Sequence, residues 1–244
     1  MEKIIEFKGV KKSYNENVVL DDFNLDIYKG EFLTVIGTSG SGKSTMLKMI
    51  NGLIDPDLGD VMVNGKNNKD VDKISLRRNI GYAVQGSVLF PNMNVLKNIS
   101  YVPRLLNRKD KTKTEKAVNK WMKIVGLDKE LMYRYPDELS GGEAQRVSIA
   151  RALAASPDIL LMDEPFSAVD EITRSRLQDE IRRIYEQTGI TIVFITHDVR
   201  EAFKLASRIL VMNKGRIEQI GTKEEIINSP SSDFVKRLVN GNEK

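Results

Sequence analysis

Apolar residues recur along the chain at two periods. Near the N-terminus they alternate with polar ones in "IIEFKGV" (4–10), "VLDDFNLDI" (19–27) and "EFLTVIG" (31–37), the period of a strand. A Gly-rich turn then leads into a helical segment, "STMLKMINGL" (44–53), with Gly52 placed as its C′ residue. "VMVNGK" (61–66) predicts a strand and turn, and "NIGYAV" (79–84) another strand. From about 90 to 157 the pattern is helical. "DILLMDE" (158–164) and "ITIVFITHD" (190–198) are short apolar runs of the buried-strand type, separated by an amphipathic helix, "RSRLQDEIRRIYEQTG", ending at Gly189. "SRILVMNKGRIEQIG" (207–221) predicts a hairpin around Asn-Lys-Gly. Thr222 and Glu225 frame a capping box for a late helix, and "DFVKRLV" (233–239) predicts another. Strands alternating with helices predict an α/β fold with a parallel-sheet core. The helical stretch breaks that alternation, so residues 86–157 are expected to form a subdomain inserted in a single domain, 1–244. No repeat or low-complexity tract interrupts it.

Composition adds constraints. Hydrophobic residues make up 41% and charged ones 30% of 244 residues, enough to bury a large core. No stretch approaches 18 uninterrupted apolar residues, and "MEKIIEFKGV" lacks a signal-peptide apolar run, so a cytoplasmic location is expected. With no cysteine, disulfides and Cys-ligated metals are excluded. The net charge of +4 hints at anionic partners, but much of the Lys sits in "NRKDKTKTEK" (107–116), the composition of a solvated loop and helix face.

The candidate chemistry begins at "GTSGSGKST" (37–45), which follows an apolar strand, opens a helix and matches G-x-x-x-x-G-K-[ST]. A chance match in a chain this long is on the order of one per cent before the flanks are considered. Gly37, Gly40 and Gly42, with Thr38, Ser39 and Ser41 between them, let backbone N–H groups curl around phosphates. Lys43 neutralises β/γ charge, and the Ser44 hydroxyl, with Thr45 beside it, is a ligand for Mg²⁺. Asp163, ending the run "ILLMD", supplies a carboxylate to the magnesium shell, and Glu164 can polarise an attacking water. His197, the single histidine, follows a buried strand at its carboxyl end, where it can hydrogen-bond a γ-phosphate. A second Gly pair lies in "ELSGGEAQRV" (138–147). Ser140 and Glu143 have capping-box spacing, and Ser-Gly-Gly bares backbone N–H groups at a helix N-terminus.

In order, Tyr14, the loop 37–45, Gln85 after "GYAV", "LSGGE" (139–143) following "YPDE", Asp163-Glu164, "SAVD" (167–170) and His197 carry a resemblance to the nucleotide-binding subunits of ABC (ATP-binding cassette) transporters, over essentially the whole chain. The resemblance implies a P-loop NTPase (RecA-like) core with an N-terminal antiparallel β subdomain and an inserted helical subdomain. It also implies an Mg²⁺-dependent ATPase that works as a head-to-tail homodimer, in which Ser140, Gly141 and Gly142 close on the γ-phosphate held by the partner's 37–45 loop. By the same resemblance Tyr14 stacks on adenine, Gln85 touches Mg²⁺ or water and signals to the membrane subunits, Asp170 crosses the interface, Glu164 is the general base and His197 senses the γ-phosphate. Thr38 for the frequent Pro, Ala144 for Gln, Val169 for Leu and the filling "QGSVLF" depart from the family pattern without removing a phosphate or metal contact.

"LFPNMNVLKNI" (89–99), "YVPRLL" (101–106), "ITRSRLQDEI" (172–181), "FITHDVREAFKLASRI" (194–209) and "SDFVKRLV" (232–239) resemble ATPases that energise uptake of osmoprotectants and other quaternary amines: glycine betaine, choline, carnitine. That implies integral membrane permease subunits as partners, a substrate-binding protein acting indirectly, no nucleic acid, and a peripheral place on the cytoplasmic face of the membrane. The regulatory CBS pair often appended in that group is expected to be missing. Amino-acid importers and exporters are the alternatives. A soluble cassette acting on DNA or ribosomes is disfavoured, because only residues 86–138 separate Gln85 from Leu139 and there is one P-loop.

Overall fold

The computed structural model describes residues 1–84, 86, 88–107, 110–167 and 169–241. The chain divides into two compact units, Met1–Arg77 with Ile190–Lys244, and Arg78–Gly189.

The first unit begins with β1 (Lys3–Tyr14) and β2 (Asn17–Tyr28), followed by β3 (Phe32–Gly37), α1 (Lys43–Ile50), β4 (Leu58–Val63), β5 (Lys66–Asn67) and α2 (Lys73–Arg78). Strands β2-β1-β4-β5 form an antiparallel sheet. Both hairpin strands run longer than the alternating pattern implies, because β1 and β2 are irregular. Their register shifts between Phe7 and Val10. Gly9 there has φ +57°, and its N–H donates to the Asn24 carboxamide oxygen at 2.7 Å. Such a bulge hides the period of two. On the buried face Phe7 and Phe23 meet edge-on, ring centroids 5.4 Å apart. β3 differs from its neighbours in the sequence. All six residues are buried, as a central parallel strand requires. Helix α1 follows it and buries Met46, Leu47, Met49 and Ile50, each contributing ~1.5–3 kcal/mol. Gly52, φ +61°, ends the helix as its C′ residue, and its N–H donates to Met49 O. α2 buries none of its residues, so it has no apolar stripe and leaves no signal in the sequence.

In the second unit β6 (Ile80–Ala83) is followed by α3 (Val95–Leu106), α4 (Lys111–Ile124), two short 3-10 turns, α5 (Gly141–Leu153), β7 (Ile159–Asp163) and α6 (Glu171–Thr188). β6 and β7 pair in parallel. Asn94 caps α3 and Asp110 caps α4, each side chain accepting from the N–H three residues on. α6 buries Leu177, Ile181 and Ile184, spaced to form one helix face, and stops at Gly189 with φ +63°.

The chain returns to the first unit with β8 (Thr191–Ile195), α7 (Val199–Leu205), β9 (Arg208–Asn213), β10 (Arg216–Gly221), α8 (Lys223–Asn228) and α9 (Asp233–Asn240). β3 pairs in parallel with both β8 and β9, and β10 closes an antiparallel hairpin on β9 through Lys214 and Gly215, both at positive φ. α7, which the sequence pattern does not predict, packs Val199 and Ala202 against Ile36, Ile209 and Val211. Behind β9 the nearly buried Glu31 accepts from the Arg208 guanidinium at 2.6 and 3.2 Å and from Tyr28 N–H at 2.7 Å. Arg208 also donates to Asp26 O at 2.6 Å and lies 5.1 Å from the Tyr28 ring centroid. Among the described residues, no helix is long and apolar enough to cross a membrane.

Candidate functional site

In the first unit, β3 delivers the chain into the loop 37–42, and α1 takes it out. A side chain at position 37 would lie 2.0 Å from Met212 O, and one at 42 would lie 2.8 Å from Val19 O, where φ is also +93°. The two flanking strands therefore demand glycine at both ends of the loop. Lys43 is largely buried, and its ammonium donates to Gly37 O at 2.9 Å and Thr38 O at 2.7 Å, with Ser41 Oγ at 3.5 Å. The loop thus holds a cation at its own centre. Gly42 offers α1 no side-chain cap, and no acidic residue stands in its first turn. A positive helix end and a fixed ammonium beside it are the donor set that suits a polyphosphate.

His197 follows β8 and is exposed. Around it, buried Thr196 donates to Glu201 Oε2 at 2.5 Å and accepts from Asp198 N, while Asp198 caps α7. Tyr14, 46% exposed, ends β1, with the Lys12 ammonium 5.6 Å from its ring centroid. Lys12 pairs with Asp57 at 2.6 Å, and that ammonium, with the Ser13 N–H, holds the Asp57 carboxyl below its ordinary range.

In the second unit, Asp163 ends β7 and is 9% exposed. Burial, with the nearby Asp163 charge, pushes the Tyr82 phenol up to about 12. Glu164, the next residue, has φ +43°, a left-handed conformation costly for a side chain of this kind, and Ser167 donates to its carbonyl through both N–H and hydroxyl. Asp170 caps α6, accepting from Thr173 N at 3.0 Å; the Thr173 donors hold its carboxyl below the usual range. Ser140 caps α5 through the reciprocal box expected from its spacing. Glu143 N–H donates to Ser140 Oγ at 3.3 Å, and Ser140 N–H donates to Glu143 Oε2 at 2.8 Å. The bonds from Ser140, backbone then hydroxyl, lower the Glu143 pKa. A contact the sequence does not announce is that of Gly142: a Cβ there would sit 2.6 Å from Thr173 Cγ2, so α5 and α6 touch at the second glycine.

Ser44 and Asp163 are hard oxygen donors suited to Mg²⁺. Among the described residues no three His, Cys, Asp or Glu side chains converge as a metal cage. Gln85 lies outside the described residues, as does Ala168 in "SAVD".

The family model described as ABC transporter matches residues 20–167, more than half of the chain. The chain belongs to the ABC transporter family. The match covers the 37–45 loop, "LSGGE" and Asp163-Glu164, whereas Tyr14, Asp170 and His197 lie beyond it. This ABC chain is 46% identical over 233 residues to the glycine betaine/carnitine/choline transport ATP-binding protein OpuCA of Bacillus subtilis, covering 96% of this chain and 60% of that protein. It is 43% identical over 235 residues to the glycine betaine uptake system ATP-binding protein YehX of Escherichia coli, covering 96% and 76%. The chain spans about 60% of the length of OpuCA and of the similarly related choline transport protein OpuBA. Among solved structures, the dimeric post-hydrolysis state of the ATP-binding cassette MJ0796 bound to ADP and Pi superposes with a TM-score of 0.82 at 33% identity, covering 90% of this chain and 98% of that one. The α/β architecture and antiparallel sheet expected of this ABC family are those described above.

Proposed function

We propose that this chain is the ATP-hydrolysing subunit of an ABC importer for osmoprotectants of the quaternary-amine class. The observation that carries the reading is the similarity, over about 96% of this chain, to betaine, choline and carnitine transport ATP-binding proteins, joined to a phosphate loop that holds its own ammonium.

In this reading the backbone of Gly37–Gly42 and the Lys43 ammonium hold the β- and γ-phosphates, and Tyr14 stacks on the adenine. Ser44, Gln85 and Asp163 would hold Mg²⁺, with Thr45 beside Ser44 at the start of the helix, and the ion would supply neutralising charge to the phosphate oxygens. Glu164 accepts a proton from the attacking water, and His197 hydrogen-bonds the γ-phosphate. Ser140, Gly141 and Gly142 close on the nucleotide held by a second copy of the chain, with Asp170 at that interface. Two phosphate loops in one chain then build two shared sites, and closure depends on nucleotide. The work available is the differential binding of ATP to the closed and open dimers. Permease subunits dock near Gln85 and the helices that follow it, at the cytoplasmic face of the membrane, and a substrate-binding protein acts through them.

Two measurements test the halves separately. Glu164→Gln should retain ATP binding, trap a dimer visible by size exclusion, and lower turnover by about 10²–10⁴-fold; near-normal turnover removes Glu164 as the base. With its permease in a bilayer, turnover should rise when a binding protein loaded with glycine betaine, choline or carnitine is added. Stimulation by amino acids alone refutes the cargo and leaves the ATPase. Identity of 43% to a sulfate/thiosulfate import ATP-binding protein of Pseudomonas aeruginosa makes that separation worth keeping.

A further inference from the structure

Arg151, near the C-terminal end of α5, is a half-buried cation with neutral acceptors. Its guanidinium donates to Val88 O at 2.6 Å and to Asn98 Oδ1 at 3.4 Å, and its Cζ lies 5.2 Å from the Phe90 ring centroid. Among the described residues no carboxylate pairs with it. Burial lowers its pKa. A half-buried charge held by neutral acceptors alone carries a desolvation cost that no counterion offsets.

Its acceptor Asn98 is fully buried on α3. The Asn98 carboxamide accepts from Phe90 N at 2.9 Å and donates to Phe90 O at 3.2 Å, Met93 O at 2.8 Å and Asn94 O at 3.2 Å. Arg151 and Asn98 therefore grip the segment 88–94 from two helices. That segment presents Val88, 60% exposed, and Phe90, 38% exposed, the latter packed on the half-open Tyr101 with ring centroids 5.0 Å apart. Arg151 stands eleven residues beyond Ser140 on one unbroken helix, roughly 17 Å along its axis.

We infer that Arg151 is a positioning residue: it seats the loop 88–94, with the exposed apolar side chains of Val88 and Phe90, on the far end of the helix that Ser140 caps. A displacement of α5 on nucleotide capture at Ser140 is carried to that patch; this second half rests on the proposed function.

Amide hydrogen exchange tests both halves, comparing the parent with Arg151→Met and Arg151→Lys. Without nucleotide, Arg151→Met should speed exchange at Phe90 and Met93 by on the order of tenfold, while amides inside α3 and α5 stay within about twofold. Arg151→Lys, which keeps the charge and loses the planar fork, should fall between. Unchanged exchange over 88–94, or equal acceleration through α3 and α5, overturns the inference. Should Arg151→Met fail to fold, Arg151→Lys decides by the same measurement. With ATP, in a Glu164→Gln background, exchange over 88–94 should slow, and Arg151→Met should abolish that slowing. A parent that forms no ATP-dependent dimer refutes the proposed function and leaves the nucleotide-free result standing. A dimer whose loop responds identically with and without Arg151 refutes the coupling alone.

Discussion

Gly142 offers a test that separates packing from chemistry. A Cβ at this position lands 2.6 Å from Thr173 Cγ2, about 1 Å inside ordinary methyl contact. Two effects oppose each other in Gly142→Ala. Replacing Gly inside a helix gains up to about 1 kcal/mol. Against it, Thr173 is β-branched and stiff at χ1, so the overlap is relieved only by moving α5 against α6, costing about 1–3 kcal/mol. The steric cost outweighs the helix gain, so Gly142→Ala should destabilise by about 1–2 kcal/mol in urea unfolding, with the m-value unchanged. Thr173→Ser removes the offending methyl and keeps the hydroxyl that faces Asp170. In that background the same Gly142→Ala change should be neutral or stabilising, a coupling of at least about 1 kcal/mol. A coupling below about 0.5 kcal/mol would refute the contact as the reason for the glycine. Once stability is restored, the double variant reports on nucleotide separately. If it still fails to dimerise with ATP, the absent Cβ also serves approach of a second chain.

Three further outcomes are expected. Arg208→Ala strands the nearly buried Glu31 carboxylate and should cost about 3–5 kcal/mol, read by thermal or urea unfolding; a loss under about 1 kcal/mol would mean Glu31 is solvated. Glu143 has a lowered folded pKa, so its cap contributes fully above its ordinary value of 4.5 and is lost as pH falls through the folded value. The stability gap between the parent and Glu143→Gln should therefore narrow on acidification, and a gap that widens contradicts the capping role. Mixed dimers of Ser140→Arg with Lys43→Ala chains should regain partial ATPase, since one site then carries both lesions and the other neither; no activity at any ratio counts against shared sites.

Much of the fold is legible because its signals are local. The Ser140–Glu143 and Thr222–Glu225 boxes, the stops at Gly52 and Gly189, and the Asn-Lys-Gly hairpin each involve residues a few positions apart. The misses have physical causes. α2 lies wholly outside the core, α7 is seven residues long and follows β8 too closely to show a helical period, and the β1 bulge scrambles alternation. The phosphate loop is readable as a motif, but its reason for glycine at 37 is not, because Met212 lies 175 residues away. Thr173 and Arg151 escape for the same reason: each acts through a partner that chain distance hides.

The left-handed backbone at Glu164 sets two kinds of selection against each other. A non-glycine residue held there costs on the order of 1–2 kcal/mol that glycine would recover. A library at position 164 sorted for resistance to heat or protease would drift toward Gly and Asn. Under the proposed function, the same library sorted for growth on the transported solute would hold the acid. If Glu164 is the base proposed above, the carboxylate is kept at the expense of the backbone that carries it, and the stability difference between the two enriched residues measures what the chain gives up for turnover.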